Sequence, residues 1–547
     1  MSTASARAPI AFPITARQMV RLVIGILWLG ASQTWYGFPI NTPSPGFTVA
    51  AAGFGMVAII GAVLVRTEEA ERRFDLLLLC FSAIFLLFSM YIWVGSTFDS
   101  DEVVQAQQGA ALLIHGHNPY TANYAASLNL FGVRFGTPTL GGSIVAQFSY
   151  PAGSLLLLAP LVALMGLHSY AVLIGTFLGL MVALVIMVRR MPPQFLGVLA
   201  LMVLLQPVFF LIPSCLDLLF LPFLLLAFLD VERFLAPGVG WAARWLSPVF
   251  LGIACSIKQN PWFLVPFMVV MVVMAARDRR TRPWTAGLSY LGLVALTFLL
   301  VNLPFIIWSP SAWLVGTLHP ITTTAVPWGI GMGTLILLFG TGAFSLFGVA
   351  AILAWLAELL LYIRYHARLK PTAPLLAVIP LLISTRNPAE YFVLAPLLFA
   401  FACVVVGPVS VPLQRWRRSL VAAGALAGCL AVVAAGAGLA VRPPLSVVVD
   451  RATATTKYFT ATVDVINHAS SALAPHFIVS EGLIPQQPAS VLEGPAWLMP
   501  GASAEYLIRT PQISGLPGPG QTTSFVIYAT TTAPNTFAVS PVAVCAC

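Results

Sequence analysis

Apolar residues in this chain fall into runs, most of about 18 to 22 and several shorter than 17, against the roughly 20 residues a helix needs to cross a hydrocarbon core of about 30 Å. They do not show the alternation of a membrane β-barrel. The runs predict spans near 19–38, 47–65, 76–95, 170–188, 194–212, 217–230, 246–257, 262–276, 284–303, 344–363, 372–385, 390–407 and 419–441, about thirteen in all. Two more apolar stretches, Pro151 to Leu167 and Trp328 to Gly342, are read as lying along or dipping into one leaflet. After Ala440 the pattern changes. Strand-like runs such as LSVVVD, YFTATVDVI and SFVIYATTT are separated by Pro, Gly and Ser clusters, which predicts a β-sandwich of about 100 residues. The expected fold class is an all-α polytopic membrane protein with a C-terminal β-sandwich domain.

Composition agrees: 59% of the 547 residues are hydrophobic and 8% charged, against roughly 25% charged in a soluble domain. The net charge of +9 raises the question of nucleic acid, and the placement of the bases answers it. Twenty of the 27 Lys and Arg sit between apolar runs, as at Arg277, Arg279, Arg280 and Arg282, on what becomes one side of the membrane. That is the charge of an oriented membrane protein and implies no nucleic-acid partner. With these bases in the cytoplasm, residues 1–18 form a cytoplasmic tail and 19–65 a transmembrane hairpin. Residues 66–441 form the main membrane domain, with a large outer loop at 96–169. Residues 442–547 lie outside as an accessory domain. The expected location is the plasma membrane, crossed many times, with the N-terminus in the cytoplasm and the C-terminal domain outside.

This topology sorts the acidic residues. Glu68, Glu69, Glu71 and Asp75 share cytoplasmic loops with arginines and read as solvated charges. In the outer part of the membrane domain stand Asp99, Asp101, Glu102, Asp217 and Glu390, the first three within four residues. The segment Ser96 to Tyr120, STFDSDEVVQAQQGAALLIHGHNPY, is a carboxylate cluster opening a helix that closes at a His-Gly-His-Asn-Pro-Tyr turn. Such carboxylates cap a helix N-terminus, or act as a general base at the membrane surface. His115 and His117 either assist or sit at the interface. Lys258 and Arg386 are almost the only outer bases, and a lipid phosphate held there requires fixed positive charge. The plainer alternatives are a snorkelling end-of-helix lysine for Lys258 and a counter-ion to Glu390 for Arg386.

An Asp-Glu pair after a transmembrane helix, an amphipathic stretch, a G-x-N-P-Y turn and the aromatic-Tyr-Pro start of FSYPAGSLLLLAPL (Phe148 to Leu161) together resemble the first outer loop of GT-C glycosyltransferases. Their texture resembles that of the bacterial polyprenyl-phosphate-dependent mannosyltransferases. Weaker matches are SCLDLLF, LGIACSIKQNPWFLVPF and ISTRNPAEYF, so that the resemblance covers roughly residues 76 to 407. It implies an inverting transfer of a hexose, mannose first, from a polyprenyl phosphate sugar to a hydroxyl of a glycan, lipid or protein acceptor. Asp101 would be the base, with Asp99 and Glu102 beside it, and Lys258, Arg386 and Gln259 would hold the donor phosphate. His115, His117, Tyr120, Tyr150 and Tyr391 would line the substrate. Asp217 would be the ligand of a divalent cation, which no motif demands. The accessory domain carries none of these residues, so its removal after Val441 is expected to spare transfer to a small acceptor. Two rival classes stay open. A transporter or flippase would place charges near the bilayer midplane in two related halves, and a scaffold would merely present the β-domain.

Overall fold

The structure is a computed structural model that describes residues 15–37, 45–94, 101–130, 136–167, 171–205, 216–231, 233–235, 240–322, 324–387, 390–406, 418–481, 484–511 and 522–546. Asp99 lies outside the described residues, as does the side chain of Tyr391.

Apolar runs become helices because a backbone in an apolar setting satisfies its own hydrogen bonds best that way. Ala16–Gly37, Pro45–Leu64, Glu68–Val94, Ala171–Arg190, Leu196–Leu205, Asp217–Asp230, Trp241–Ile257, Val265–Asp278, Pro283–Trp308, Ser345–Arg364, Glu390–Val405 and Arg418–Ala440 all fall on predicted spans. The exception is 372–385, which breaks into the short turns Lys370–Thr372, Ala373–Leu376 and Ile379–Ile383. Pro371, Pro374 and Pro380 each remove an N–H donor from it, so no continuous helix forms. Among the described residues five helices are long and apolar enough to cross a membrane: Ala171–Arg190, Asn260–Asp278, Pro283–Trp308, Ser345–Arg364 and Ser419–Ala440. This is the signature of a membrane protein.

The chain divides into two packed units, Met1–Ile92 with Met187–Ile212 and Trp93–Ile186 with Pro213–Cys547. In the first, Glu68–Val94 begins two turns before the apolar run does. Its Glu71 and Asp75, four residues apart, therefore share one helix face. They meet Arg17 and Arg21, which are spaced the same way on Ala16–Gly37. Both guanidinium Nε atoms lie 2.6 Å from Asp75 oxygens, and Arg17 Nη1 is 2.8 Å from Glu71. Asp75 and Arg21 are fully buried. Glu71 and Asp75 are thus internal partners, where the sequence suggested solvated loop charges.

In the second unit a two-residue strand β1 (Trp328–Gly329) pairs in parallel with β2 (Arg386–Asn387). The C-terminal strands are β3 (Leu445–Ala454), β4 (Tyr458–Asn467), β5 (His476–Glu481), β6 (Ile484–Glu493), β7 (Ser503–Pro511), β8 (Thr522–Thr532), β9 (Asn535–Val539) and β10 (Ala543–Ala546). They form one antiparallel sheet in the order β10-β8-β5-β6-β7-β4-β3, with β9 on β8. Its two ends, β3 and β10, come back into contact. The domain is therefore a half-barrel and not the expected two-sheet sandwich. Register shifts at Val449/Arg451, Val479/Ser480 and Val491/Glu493 bend the strands, and the curled sheet encloses Phe459, Val463, Phe477, Ile508 and Ile527.

The half-barrel is built into the helical part of its unit. Ile478, Tyr528 and Phe537 share an apolar cluster with Leu140, Val326, Ile336, Phe344 and Phe347. Thr341 and Phe537 exchange backbone hydrogen bonds of 2.8 and 2.9 Å, and the Thr530 hydroxyl donates to the Leu140 carbonyl at 2.7 Å. Gly340, at φ +72°, permits the approach, since a Cβ there would stand 2.5 Å from the Phe537 carbonyl oxygen. Ending the chain after Val441 re-exposes Leu140, Val326 and Phe344, at a cost of about 1.5–3 kcal/mol for each large side chain fully uncovered. We therefore expect the truncated protein to lose folded yield on size-exclusion chromatography, whereas a dispensable domain would leave that yield unchanged.

Candidate functional site

Asp101 and Glu102 open the helix Asp101–Ile114. Asp101 Oδ1 accepts the Glu102 N–H and Oδ2 the Thr137 N–H, each at 2.9 Å. Both contacts suit a carboxylate at the positive end of a helix. Glu102 turns the other way. Its two oxygens lie 3.0 Å from Lys258 Nζ, and Oε1 also accepts the Leu216 N–H at 3.1 Å. Lys258 follows the last residue of Trp241–Ile257 in an extended conformation. Asp217 is the first residue of Asp217–Asp230; its Oδ2 lies 2.8 Å from Lys258 Nζ and its Oδ1 accepts from Asn260 Nδ2 at 2.9 Å. Three helix ends thus meet at one ammonium flanked by two carboxylates.

The Lys258 side chain is 1% exposed and that of Asp217 2%, whereas Glu102 is 13% exposed and is the member that reaches solvent. Burial raises the Glu102 carboxyl above the ordinary carboxylate range; Lys258 holds it back and Asp217 adds to the rise. The Tyr150 ring lies 5.5 Å from Lys258 Nζ, a cation–π distance.

The other side chains singled out in the sequence divide into those near this cluster and those elsewhere. Arg386 is near: its Nη2 donates to the Thr137 hydroxyl at 2.7 Å, while the Thr137 N–H is bound to Asp101. Pairing of β1 with β2 sets the guanidinium 5.3 Å from the Trp328 ring, and among the described residues no carboxylate lies within ion-pair distance of it. Lys258, expected on the donor phosphate, is instead held by its own two carboxylates. Gln259 has a positioning task, for its Nε2 donates to the backbone carbonyls of Ser149 and Thr317 at 2.9 and 2.8 Å. Tyr120 is buried, with its hydroxyl donating to the Tyr150 carbonyl at 2.8 Å and its ring edge-on to Phe148 and Phe305. Its hydroxyl bond and both of these ring contacts are made within the protein.

His115 and His117 stand apart. The helix ends in a Schellman turn, with Gly116 at φ +74°, Gly116 N–H donating to Leu113 and His117 N–H to Leu112. Both histidines are exposed there, roughly 20 Å along the helix from the carboxylates. The turn required the glycine, and the histidines flank it. Asp217 has both oxygens occupied by side-chain donors, and among the described residues no three His, Cys, Asp or Glu side chains gather as a metal-ligand set.

Three contributors were not singled out in the sequence. Asn260 was signalled by its place two residues after Lys258. Thr137 and Trp328 had no signal, because their roles depend on which loops meet. The sequence matches no protein-family model and no curated protein.

Proposed function

We propose that this chain is a membrane-embedded glycosyltransferase of GT-C architecture. It moves a hexose, mannose first, from a polyprenyl phosphate sugar to a hydroxyl of a glycan, lipid or protein acceptor at the outer face. The observation that carries the reading is the convergence of Asp101, Glu102, Asp217, Lys258 and Arg386, assigned to one side by topology, from four separate parts of the chain. Among the described residues Asp101 has no cation, and Arg386 no carboxylate, within ion-pair distance.

In this reading Asp101 accepts the proton of the acceptor hydroxyl as its oxygen attacks the anomeric carbon. The bond to the phosphate oxygen breaks, the configuration inverts, and the phosphate leaves against Arg386. Glu102, Lys258 and Asp217 lock together the helix ends that position the base. The thirteen-crossing topology belongs to the same proposal, with the broken segment 370–383 serving as one crossing. It sets the half-barrel outside, where the disulfide at Cys545 suits an oxidising compartment. Transport fits less well, because Lys258, Asp217 and Glu102 lie at helix ends, not at the middle of spans.

The test is to incubate the purified protein in vesicles with a polyprenyl phosphate hexose and a soluble acceptor, and to look for the glycosylated product by mass spectrometry. No product from any polyprenyl phosphate hexose, with Asp101 intact, rejects the reading. Arg386→Ala should raise the KM for the lipid donor by about 10- to 150-fold, the worth of a hydrogen bond to a charged group at 1.5–3 kcal/mol, and Arg386→Lys should restore only part of it.

A further inference from the structure

We propose that the tip of the half-barrel formed by residues 494–501 inserts into the lipid headgroup layer beside the last membrane helix, as a second contact of this domain with the bilayer. The inference rests on the reading of Ser419–Ala440 as a span, and not on the glycosyltransferase assignment.

The helix Arg418–Ala440 continues its hydrogen bonding to Val441, and β3 begins at Leu445. The end of the half-barrel that holds Leu445 is therefore the end next to the membrane. Leu445 pairs with Asn467. Asn467 in turn exchanges backbone hydrogen bonds with the turn that follows β6, donating to Ala502 at 3.0 Å and accepting from Gly501 at 2.9 Å. With strands spaced about 4.8 Å apart, Gly501 lies roughly 10 Å from Leu445, which follows the end of the membrane helix by four residues.

The turn is rigidly held. Asn467 Nδ2 donates to the carbonyls of Ser471 and Leu498, both at 2.8 Å, and Leu473 and Leu498 exchange backbone hydrogen bonds. Leu498 is buried in the barrel core at 2% exposure, which turns its neighbours outward: Trp497 is 63% exposed and Met499 61%. Residues 468–475 and 494–501, HASSALAP and GPAWLMPG, contain no Asp, Glu, Lys or Arg. The opposite end of the same sheet carries Lys457 in the turn between β3 and β4, about 30 Å away along ten residues of strand.

An exposed tryptophan and methionine on a pinned, uncharged tip, next to the end of an apolar span, match the chemistry of the membrane interface. There the indole ring sits at the level of the headgroups. On the helix itself Leu430, Val433 and Val441 are exposed apolar side chains.

The experiment uses the full-length protein in phosphatidylcholine–phosphatidylglycerol vesicles doped with a diazirine-tailed phospholipid. Ultraviolet light forms the adducts, and peptide mass spectrometry locates them. Adducts are expected on 494–501 as well as on 419–440, well above the level on Thr455–Lys457. Replacing Trp497 and Met499 with Ser should remove those on 494–501 and leave those on 419–440. Labelling of 419–440 alone, or equal labelling of Thr455–Lys457, overturns the inference. A crosslink from Trp497 to a second protein chain in place of lipid overturns it in favour of a dimer. Absence of labelling on both segments removes the span and the inference together.

Discussion

Asp101→Asn is expected to lower kcat for hexose transfer by about 10²- to 10⁴-fold, the usual contribution of a general base, with little change in the KM for the lipid donor. The substitution keeps an oxygen for one of the two backbone N–H groups that Asp101 accepts, from Glu102 and Thr137. The helix start should therefore survive, and the thermal transition should stay within a few degrees of the parent. That combination separates a proton acceptor from a helix cap. A cap alone would show a lowered transition with turnover kept in the molecules still folded. If Asp101→Asn is fully active and Glu102→Gln is dead, the base is Glu102 and the pairing with Lys258 is part of the chemistry.

Lys258→Met has the largest expected effect on stability, about 3–5 kcal/mol, as found when one partner of a buried ion pair is removed. The loss comes less from the ammonium than from what it leaves behind, namely Glu102 and Asp217 facing the same small space without the Lys258 ammonium between them. A proton relieves such a pair, so the variant should lose less stability at pH 5 than at pH 8. The intact protein should lean the same way. With its carboxyl raised by burial, folded Glu102 keeps a proton at pH values where the unfolded chain has released it. Its contribution to stability therefore falls as pH rises through that window. Adding Glu102→Gln and Asp217→Asn to Lys258→Met should recover part of the loss. Thermal unfolding in detergent at both pH values reads all of this, and a Lys258→Met protein as stable as the parent at pH 8 would refute the role given to the cluster.

The helices were readable because each apolar run is long enough to impose one, and even the broken stretch at 372–385 carried its prolines in plain view. The half-barrel was readable as strands but not as one sheet. Alternation identifies the inner face of β4 or β8, while the order of strands depends on bulges at Val449, Val479 and Val491 that leave no mark in the pattern. At the site the sequence pointed to Asp101, Glu102, Asp217, Lys258 and Arg386, because charges beside apolar runs are expensive and few. It did not reveal which of them satisfy one another. Lys258 and Arg386 looked alike as outer bases, yet one is enclosed by carboxylates and the other lies on Trp328. The two histidines drew attention by their chemistry, although the residue between them, Gly116, was what the fold required.

The joining of Glu102 to Lys258 also sets an order on biosynthesis. The two residues are 156 positions apart, so at about 5–20 residues per second a ribosome needs roughly 8 to 30 seconds to make the second after the first. Through that interval Glu102 at the head of Asp101–Ile114 is without the ammonium it later pairs with. The helix ends therefore close around one another only after the chain has passed Lys258, and the half-barrel, made later still, packs against Leu140 after that.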